Sequence, residues 1–285
     1  MTLKGPFLSK DWIGSNPDYE TSSWVMLGMP YDGTCSYRPG TRFAPEEIRL
    51  ASWGLEEYSP DIDREMSEIS FYDAGELDLP FGNREKILET IRENVQNALD
   101  DNKKVVGIGG EHLVTLPQVE AYLTKYPDLC VIHFDAHTDL REDYLGEKLS
   151  HASVIRRISE KLKSCENLCQ VGIRSGEKYE FEFMQKYKTL CKSKEEFSKK
   201  IDTFRNKPVF ITVDLDVLDP SIMSGTGTPE AGGLTYKEFI EYLKLIKGQN
   251  VVGMDIVELS PHYDASGSST ATASKVIREM MLLFA

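Results

Sequence analysis

The chain has 285 residues, of which 40% are hydrophobic, and a formal net charge of −13 at pH 7. No Pro/Gly/Ser-rich or charge-rich linker divides it, so we expect one large domain spanning 1–285. The acidic excess disfavours nucleic acid as a partner and weakly favours a cationic ligand. The five cysteines indicate no disulfide framework, and no apolar run reaches the ~20 residues of a membrane span. We therefore expect a cytoplasmic protein without a membrane partner.

The first half of the chain alternates extended and helical patterns. An apolar run at 23–29 predicts a strand, and a short helix at 45–48 opens on a proline. Isoleucine, valine and leucine recur at every fourth position over 87–99, which predicts a long amphipathic helix. A buried strand is predicted at 104–108, and a further helix opens near residue 117.

The second half continues this alternation. Strands are predicted at 129–134, 168–173, 209–213 and 251–257, and helices after residue 151 and over 194–205, 236–246 and 270–283. The alternation predicts the α/β class, as a single-domain three-layer α-β-α sandwich with a mainly parallel sheet. Ligands of such sheets bind beyond the carboxyl ends of the strands.

Acidic and imidazole side chains cluster where the predicted strands end. Asp135 and His137 share one side of an extended chain, as do Asp214 and Asp216, because side chains alternate along a strand. Carboxylate and imidazole groups together suit divalent metals such as manganese, and six of them suffice for two ions. The predicted metal ligands are His112, Asp135, His137, Asp139, Asp214 and Asp216.

A simpler explanation fits each aspartate taken alone, since aspartate is common in turns and helix caps after strands. It does not fit the cluster, because carboxylates ~4 Å apart repel by roughly 4 kcal/mol per pair at an effective dielectric constant of 20. Two divalent ions would balance the four aspartates. His133 shares the strand face of Asp135, and we expect it to support the site or the core rather than to bind metal.

Eight ordered segments carry a resemblance to a known family. They are Pro30-Tyr31-Asp32-Gly33, Arg38-Pro39-Gly40, Gly110-Glu111-His112, Asp135-Ala136-His137-Thr138-Asp139, Asp214-Leu215-Asp216-Val217-Leu218-Asp219-Pro220, Gly225-Thr226-Gly227-Thr228-Pro229, Gly232-Gly233-Leu234-Thr235 and Asp255-Ile256-Val257-Glu258. With these motifs the chain resembles the ureohydrolases (arginases and agmatinases), and the agmatinase branch most. The resemblance implies an arginase-like fold and hydrolysis of a guanidino compound.

The resemblance also implies two Mn²⁺ ions per subunit and a homotrimer or homohexamer. One ion would be held by His112 and Asp139 and the other by His137 and Asp216, with Asp135 and Asp214 bridging both. A metal pair lowers the pKa of bound water, and this generates a hydroxide nucleophile at neutral pH.

Three residues are candidates for catalysis or substrate binding. By similarity, Glu258 would anchor the substrate guanidinium, which a carboxylate can do through paired charge-assisted hydrogen bonds. His151 matches the family histidine that shuttles protons, and a pKa near neutrality would suit this role. Asp139 is a reasonable proton donor to the leaving amine.

The choice of substrate depends on the mouth of the site. Arginases carry an asparagine two residues beyond the last ligand of the Asp-x-His-x-Asp segment, where this chain has Arg141. We therefore expect agmatine, hydrolysed to putrescine and urea in polyamine biosynthesis, with Arg141 neutralised by Glu142 or Asp143. An unpaired Arg141 would instead favour 4-guanidinobutyrate, and arginine stays the remaining alternative. Acidic residues that could receive the ammonium of agmatine are Glu142, Asp143, Glu177 and Glu230.

Several alternatives stay open at this point. The loop at 226–233 is either a turn shaped by its glycines or a wall of the pocket, and His262 lies either at the pocket mouth or on the surface. A metallophosphoesterase would also use a paired-metal site, but it usually needs more histidines than the five present here. A non-catalytic binding module on the same fold is the other alternative.

Overall fold

The computed structural model describes residues 11–285. The strands are β1 (Trp24–Met29), β2 (Tyr58–Ser59), β3 (Arg64–Glu65), β4 (Phe71–Glu76), β5 (Lys104–Gly109), β6 (Cys130–Phe134), β7 (Leu168–Val171), β8 (Leu190–Cys191), β9 (Pro208–Asp214) and β10 (Asn250–Val257). The α-helices are α1 (Ala44–Ser52), α2 (Arg84–Asp100), α3 (Thr115–Lys125), α4 (Val154–Lys161), α5 (Lys178–Tyr187), α6 (Lys194–Asp202), α7 (Tyr236–Leu245) and α8 (Ser268–Phe284).

Eight of the strands form one sheet in the order β4-β1-β5-β10-β9-β6-β7-β8, and each neighbouring pair is parallel. The short strands β2 and β3 form a separate antiparallel pair. All six predicted strands are present, each within two residues of its predicted bounds. The prediction of a mainly parallel sheet is confirmed.

Helices cover both faces of this sheet, which confirms the three-layer α-β-α sandwich. Because side chains alternate along a strand, Ile132 packs on one face and Val131 on the other. The first face carries apolar residues of α1, α6, α7 and α8, among them Phe239 and Ile277. The second carries those of α2, α3, α4 and α5, including Ile91 and Val119. Burial on two faces explains why the central strands read as continuous apolar runs.

The elements that the sequence did not predict lie at the margins of the fold. Strands β4 and β8 are the two edges of the sheet, and β8 has only two residues. In helix α5 only Glu180 and Met184 are fully buried, so the helix contributes little to the core. Edge strands and half-exposed helices carry little of the hydrophobic pattern on which such predictions rest.

The strand order places four strand ends side by side. Strands β5, β10, β9 and β6 are consecutive neighbours, and parallel strands end on the same edge of the sheet. The turn after β5 needs glycine, because a Cβ at Gly110 would lie 1.9 Å from the carbonyl oxygen of Tyr31. Within 11–285, none of the helices is long and apolar enough to cross a membrane.

Candidate active site

The six predicted metal ligands converge at the carboxyl edge of the four central strands. His112 follows β5, Asp135 follows β6, and Asp214 is the last residue of β9. Glu258 follows β10, which lies between β5 and β9. Neighbouring strand ends thus bring together residues that are up to 146 positions apart in the sequence.

His112 is the centre of the first group of ligands. Its Nδ1 atom lies 3.1 Å from Asp139 Oδ2, 3.2 Å from Asp135 Oδ2 and 3.5 Å from Asp214 Oδ2. The ring is fully buried, yet Nδ1 has no hydrogen-bond partner of acceptable geometry. A buried nitrogen that faces three carboxylate oxygens without a hydrogen bond suits a divalent cation lying among them.

His137 forms the second group. Its Nδ1 atom lies 3.0 Å from Asp216 Oδ2 and 3.5 Å from Asp135 Oδ1. Asp135 therefore presents Oδ1 to this group and Oδ2 to His112, and it belongs to both candidate metal sites. A carboxylate with one oxygen toward each site has the geometry of a bridging ligand.

The carboxylates of the cluster repel one another and favour protonated groups at the site. Burial, together with Asp216 and Asp135, raises the pKa of Asp214 well above its usual range. Burial and Asp135 raise the pKa of Asp139 to about 7. Burial disfavours the charged form of His137, but Asp216 and Asp135 outweigh it and raise that pKa to about 12. Divalent cations would supply positive charge and displace these protons.

A row of buried polar residues crosses the sheet just below the ligands. Asp255, Thr212, His133 and Gln170 are register partners on β10, β9, β6 and β7. Thr212 Oγ1 lies 3.0 Å from Nε2 of His112, where it can accept a hydrogen bond that leaves Nδ1 for a metal. Of this row, only His133 was expected from the sequence to support the site. A signal was present, because each residue interrupts an apolar strand two or three positions before a site residue or loop.

A cavity of about 290 Å³ opens above the ligands. Its wall includes the ligands His137, Asp139 and Asp214 and the two other predicted site residues, His151 and Glu258. The structure thus brings all eight predicted site residues to one place, the six predicted metal ligands as one cluster and the other two on the wall of the adjoining cavity.

Glu258 is held from two sides. Its Oε1 atom accepts a hydrogen bond from the backbone amide of His112 at 2.7 Å, and its own amide donates to the carbonyl oxygen of Gly110. Asp139 and Glu258 both have left-handed backbone conformations, with φ of 50° and 68°. Such conformations cost non-glycine residues free energy and concentrate at functional sites, where surrounding contacts stabilise them.

His151 is oriented by residues that the sequence analysis did not single out. Its backbone amide and its Nδ1 atom lie 3.0 and 3.2 Å from Thr34 Oγ1, and that hydroxyl donates to Glu111 at 2.6 Å. On the other side, Nε2 lies 3.3 Å from Ser36 Oγ. Burial and the nearby His112 lower the pKa of His151 to about 4, so the expected pKa near neutrality is wrong. The ring is neutral at pH 7.

The chain is similar to known proteins over nearly its whole length. A model of the arginase family matches residues 22–283. The chain belongs to the arginase family. The agmatinases of Bacillus cereus and of Bacillus subtilis (strain 168) are 48% and 47% identical to it, over 99% and 100% of this chain and 99% of each relative. The structure of the agmatine ureohydrolase of Thermoplasma volcanium gives a TM-score of 0.85 at 31% identity, over 97% of this chain and 94% of that one.

The predicted membership of the ureohydrolases is therefore confirmed, and the chain is an arginase-family enzyme.

Within this family fold, the loop at 226–233 contributes directly to the site. Thr228 lines the cavity, and its hydroxyl lies 3.3 Å from Asp216 Oδ2. Arg174 fixes the same loop, since its guanidinium donates to the carbonyl oxygens of Glu230 and Asp216. The sequence carried no recognisable signal for this role of Arg174.

The mouth of this arginase-family site differs from expectation in one respect. Arg141 is paired with Glu177, at 3.4 Å, whereas Glu142 pairs with Arg156 at 2.5 Å. The expectation that Glu142 or Asp143 neutralises Arg141 is therefore wrong. The reason is that Glu177 caps helix α5, which the sequence analysis did not predict, and this places its carboxylate across the mouth from Arg141.

Of the four acidic candidates for the mouth, Glu177 lines the cavity. Glu230 contributes its backbone carbonyl to Arg174, as described above. His262 is exposed and stacks on Phe43 with ring centroids 4.8 Å apart. It is not among the residues that line the cavity, so the surface alternative is the one observed.

Proposed function

We propose that the protein is a binuclear manganese agmatinase, which hydrolyses agmatine to putrescine and urea. The observation that carries this proposal is the position of one carboxylate, Glu258, on the wall of the cavity that opens onto two linked carboxylate–histidine groups. A guanidinium bound there would lie next to the metal site. The names of the relatives, at 47 to 48% identity over almost the whole chain, support agmatine as the substrate.

The donor set fits two divalent ions. In this proposal His112 and Asp139 hold one Mn²⁺, His137 and Asp216 hold the other, and Asp135 and Asp214 bridge them. When bound, the metal pair lowers the pKa of water so that hydroxide is available at neutral pH. Oxygen-rich sites of this kind suit manganese, and the two histidines favour it over calcium and magnesium.

The chain's own residues bind and orient the substrate. Because Oε1 of Glu258 already accepts a hydrogen bond from His112, Oε2 is the oxygen that receives the guanidinium. Asp139 lies at the cavity wall and is placed to give a proton to the leaving amine. His151 is neutral at pH 7, and Nε2 is the ring nitrogen left to take up a proton because Nδ1 faces Thr34. With a pKa of about 4 the ring would hold that proton only briefly before passing it to solvent through the mouth.

The free end of the substrate distinguishes agmatine from 4-guanidinobutyrate. Agmatine carries an ammonium there, whereas 4-guanidinobutyrate carries a carboxylate. Since Glu177 pairs with Arg141, the mouth carries little net positive charge, and Glu177 is the exposed acidic residue of the cavity wall that could receive an ammonium. This arrangement favours agmatine.

The test is urea release from agmatine, 4-guanidinobutyrate and arginine by the Mn²⁺-loaded protein, with a chelator-treated sample as control. We expect agmatine to have the highest kcat/KM and activity to vanish on metal removal. A higher kcat/KM for either other substrate would overturn the choice of agmatine. Turnover of p-nitrophenyl phosphate with no urea from any guanidino compound would overturn the proposal and favour a phosphoesterase.

We also propose that residues 1–285 form one domain that acts in the cytoplasm as a homotrimer or homohexamer. The single domain is supported by the family model, which matches residues 22–283. Light scattering coupled to size-exclusion chromatography tests the assembly, since a monomer of 32.3 kDa would elute with about a third or a sixth of the expected mass.

A further inference from the structure

His133 is a buried histidine whose role the ligand set leaves undecided. It lies on β6, two residues before Asp135. One of its ring nitrogens lies within 4.8 Å of ligand atoms of His112, Asp135 and Asp139. On distance alone it could be a seventh metal ligand. Its surroundings decide against this.

The side-chain amide of Gln170 controls His133. Its Nε2 atom lies 3.1 Å from the backbone carbonyl oxygen of Thr138, which can only accept, so this end of the amide must be the NH₂ group. The same nitrogen lies 3.2 Å from Nδ1 of His133. At the other end, Oε1 of Gln170 accepts a hydrogen bond from the hydroxyl of Thr189 at 3.0 Å. The amide orientation is therefore fixed by two independent partners.

This orientation sets the tautomer of the histidine. Because Gln170 donates to Nδ1, that nitrogen is an acceptor, and the proton of the neutral ring resides on Nε2. Nε2 lies 2.7 Å from Oδ2 of Asp135 and donates a hydrogen bond to it. A ring nitrogen that carries a proton has no lone pair for a metal, so His133 is not a ligand in this arrangement.

The hydrogen bond acts on the carboxylate that spans both metal groups. Oδ2 of Asp135 accepts the hydrogen bond from Nε2 of His133 and faces His112. Oδ1 accepts a hydrogen bond from the backbone amide of His137 at 2.5 Å. One fixed donor on each oxygen holds the plane of the carboxylate, and with it the direction of the two remaining lone pairs. Without the donor on Oδ2, the carboxylate could rotate away from one of the two groups.

We propose that His133 is a positioning residue that, in its Nε2–H tautomer, holds Asp135 in the orientation that bridges two metal ions. This inference rests on the proposed binuclear function. Hydrogen-bond donors behind metal ligands typically change metal affinity by about 10- to 100-fold. We therefore expect the loss of the His133 donor to weaken, by about 10- to 100-fold, the binding of whichever of the two ions binds second.

Two variants separate the hydrogen bond from packing. His133→Leu removes the donor and keeps most of the volume, whereas His133→Gln can place an amide NH₂ where Nε2 lies. Mn²⁺ titration by calorimetry and electron paramagnetic resonance of the metal pair are the readouts, with thermal melting as a check of folding. We expect the exchange-coupled signal of two ions to be lost in His133→Leu at ion concentrations that saturate the wild type, and to be retained in His133→Gln. Wild-type affinity in His133→Leu, or equal losses in both variants, would overturn the inference.

The tautomer gives a readout that does not depend on metal. Long-range ¹H–¹⁵N correlation spectra of the histidine-labelled protein before metal loading are tractable, since the chain has five histidines. We expect His133 to be protonated on Nε2, and a Gln170→Leu variant to lose this preference. A proton on Nδ1 in the wild type would overturn this inference alone. A wild-type chain that binds no pair of ions but has the expected tautomer would overturn the proposed function and the bridging role that rests on it.

Discussion

The backbone amide of His112 donates a hydrogen bond to Oε1 of Glu258 at 2.7 Å. The two residues follow neighbouring strands, β5 and β10, so one short contact links a proposed metal ligand to the proposed guanidinium anchor. Under the proposed function it leaves Oε2 of Glu258 to receive the guanidinium. A Cβ at Gly227 would lie 3.3 Å from this oxygen, so glycine leaves space beside it.

Glu258→Gln is expected to weaken substrate use without changing metal content. The amide oxygen of glutamine can still accept the hydrogen bond from His112, so the local backbone is kept, but the negative charge is lost. A hydrogen bond to a charged group contributes about 1.5–3 kcal/mol, so kcat/KM for agmatine should fall by roughly 10- to 150-fold. Urea release and metal analysis measure the two effects. Glu142→Gln, which alters an acid paired with Arg156 outside the cavity wall, is the control, and unchanged kinetics in Glu258→Gln would refute the assignment.

Asp135→Asn and Asp214→Asn are expected to abolish metal pairing and, with it, urea release. Each aspartate is proposed as a bridge, and an amide cannot offer an anionic oxygen to both ions. Metal analysis should find at most one Mn²⁺ per chain in either variant, whereas Asp143→Asn, on an exposed turn, should keep two. Two bound ions together with normal activity in Asp135→Asn would rule out the bridging role.

Binding of Mn²⁺ is expected to strengthen as the pH rises. Burial and Asp135 raise the pKa of Asp139 to about 7, so this carboxyl group holds a proton below pH 7 that the metal must displace. The Asp139 proton alone should lower affinity about tenfold per pH unit below pH 7, and because His137 also holds a proton that the metal must displace, affinity should keep rising above pH 7. Calorimetric titrations between pH 5.5 and 8 in two buffers with different ionisation enthalpies measure both the affinity and the protons released. An affinity that does not change over this range would contradict the pKa assignment.

The fold and the clustering of the predicted metal ligands were predictable because both leave strong local patterns. Central strands such as β6 and β9 are buried on both faces, so they appear as apolar runs, and an acidic residue stands at or just after the end of each, Asp214 for β9 and Asp135 for β6. The strand order that makes these two ends neighbours is not encoded locally. It was the parallel sheet and the resemblance to a family that allowed the ligands to be grouped.

Contacts between distant loops could not be predicted in the same way. Thr34 reaches His151 across 117 positions, and neither residue lies in a pattern that indicates the other. Arg141 was expected to pair with an acid one or two positions away, but Glu177 lies closer in space. Sequence proximity is a poor guide on exposed loops, where the direction of each side chain depends on backbone turns rather than on periodicity.

Thr34→Val is expected to lower turnover with little change in KM. The hydroxyl of Thr34 lies between Glu111 and Nδ1 of His151, and its loss leaves the ring free to turn away from the cavity. A net hydrogen bond of ~1 kcal/mol corresponds to a loss of about fivefold in kcat. His151→Ala should lose more activity and regain part of it with added imidazole, which Thr34→Val should not need. Full turnover in both variants would exclude His151 from proton transfer.

Glu177→Gln is expected to shift preference between substrates. Its loss leaves Arg141 unpaired at the cavity mouth, where the cation would repel the ammonium of agmatine and attract the carboxylate of 4-guanidinobutyrate. Both side chains are partly exposed, and an interaction of ~1 kcal/mol at 4 Å in water changes KM by about fivefold. KM for agmatine should therefore rise and KM for 4-guanidinobutyrate should fall. Because exposed charges are screened, both shifts should shrink in ~1 M salt. Arg141→Met is the matched control, and it should leave the KM for agmatine unchanged or lower. Equal changes in KM for both substrates in Glu177→Gln would show that Glu177 does not discriminate between an ammonium and a carboxylate at the free end of the substrate.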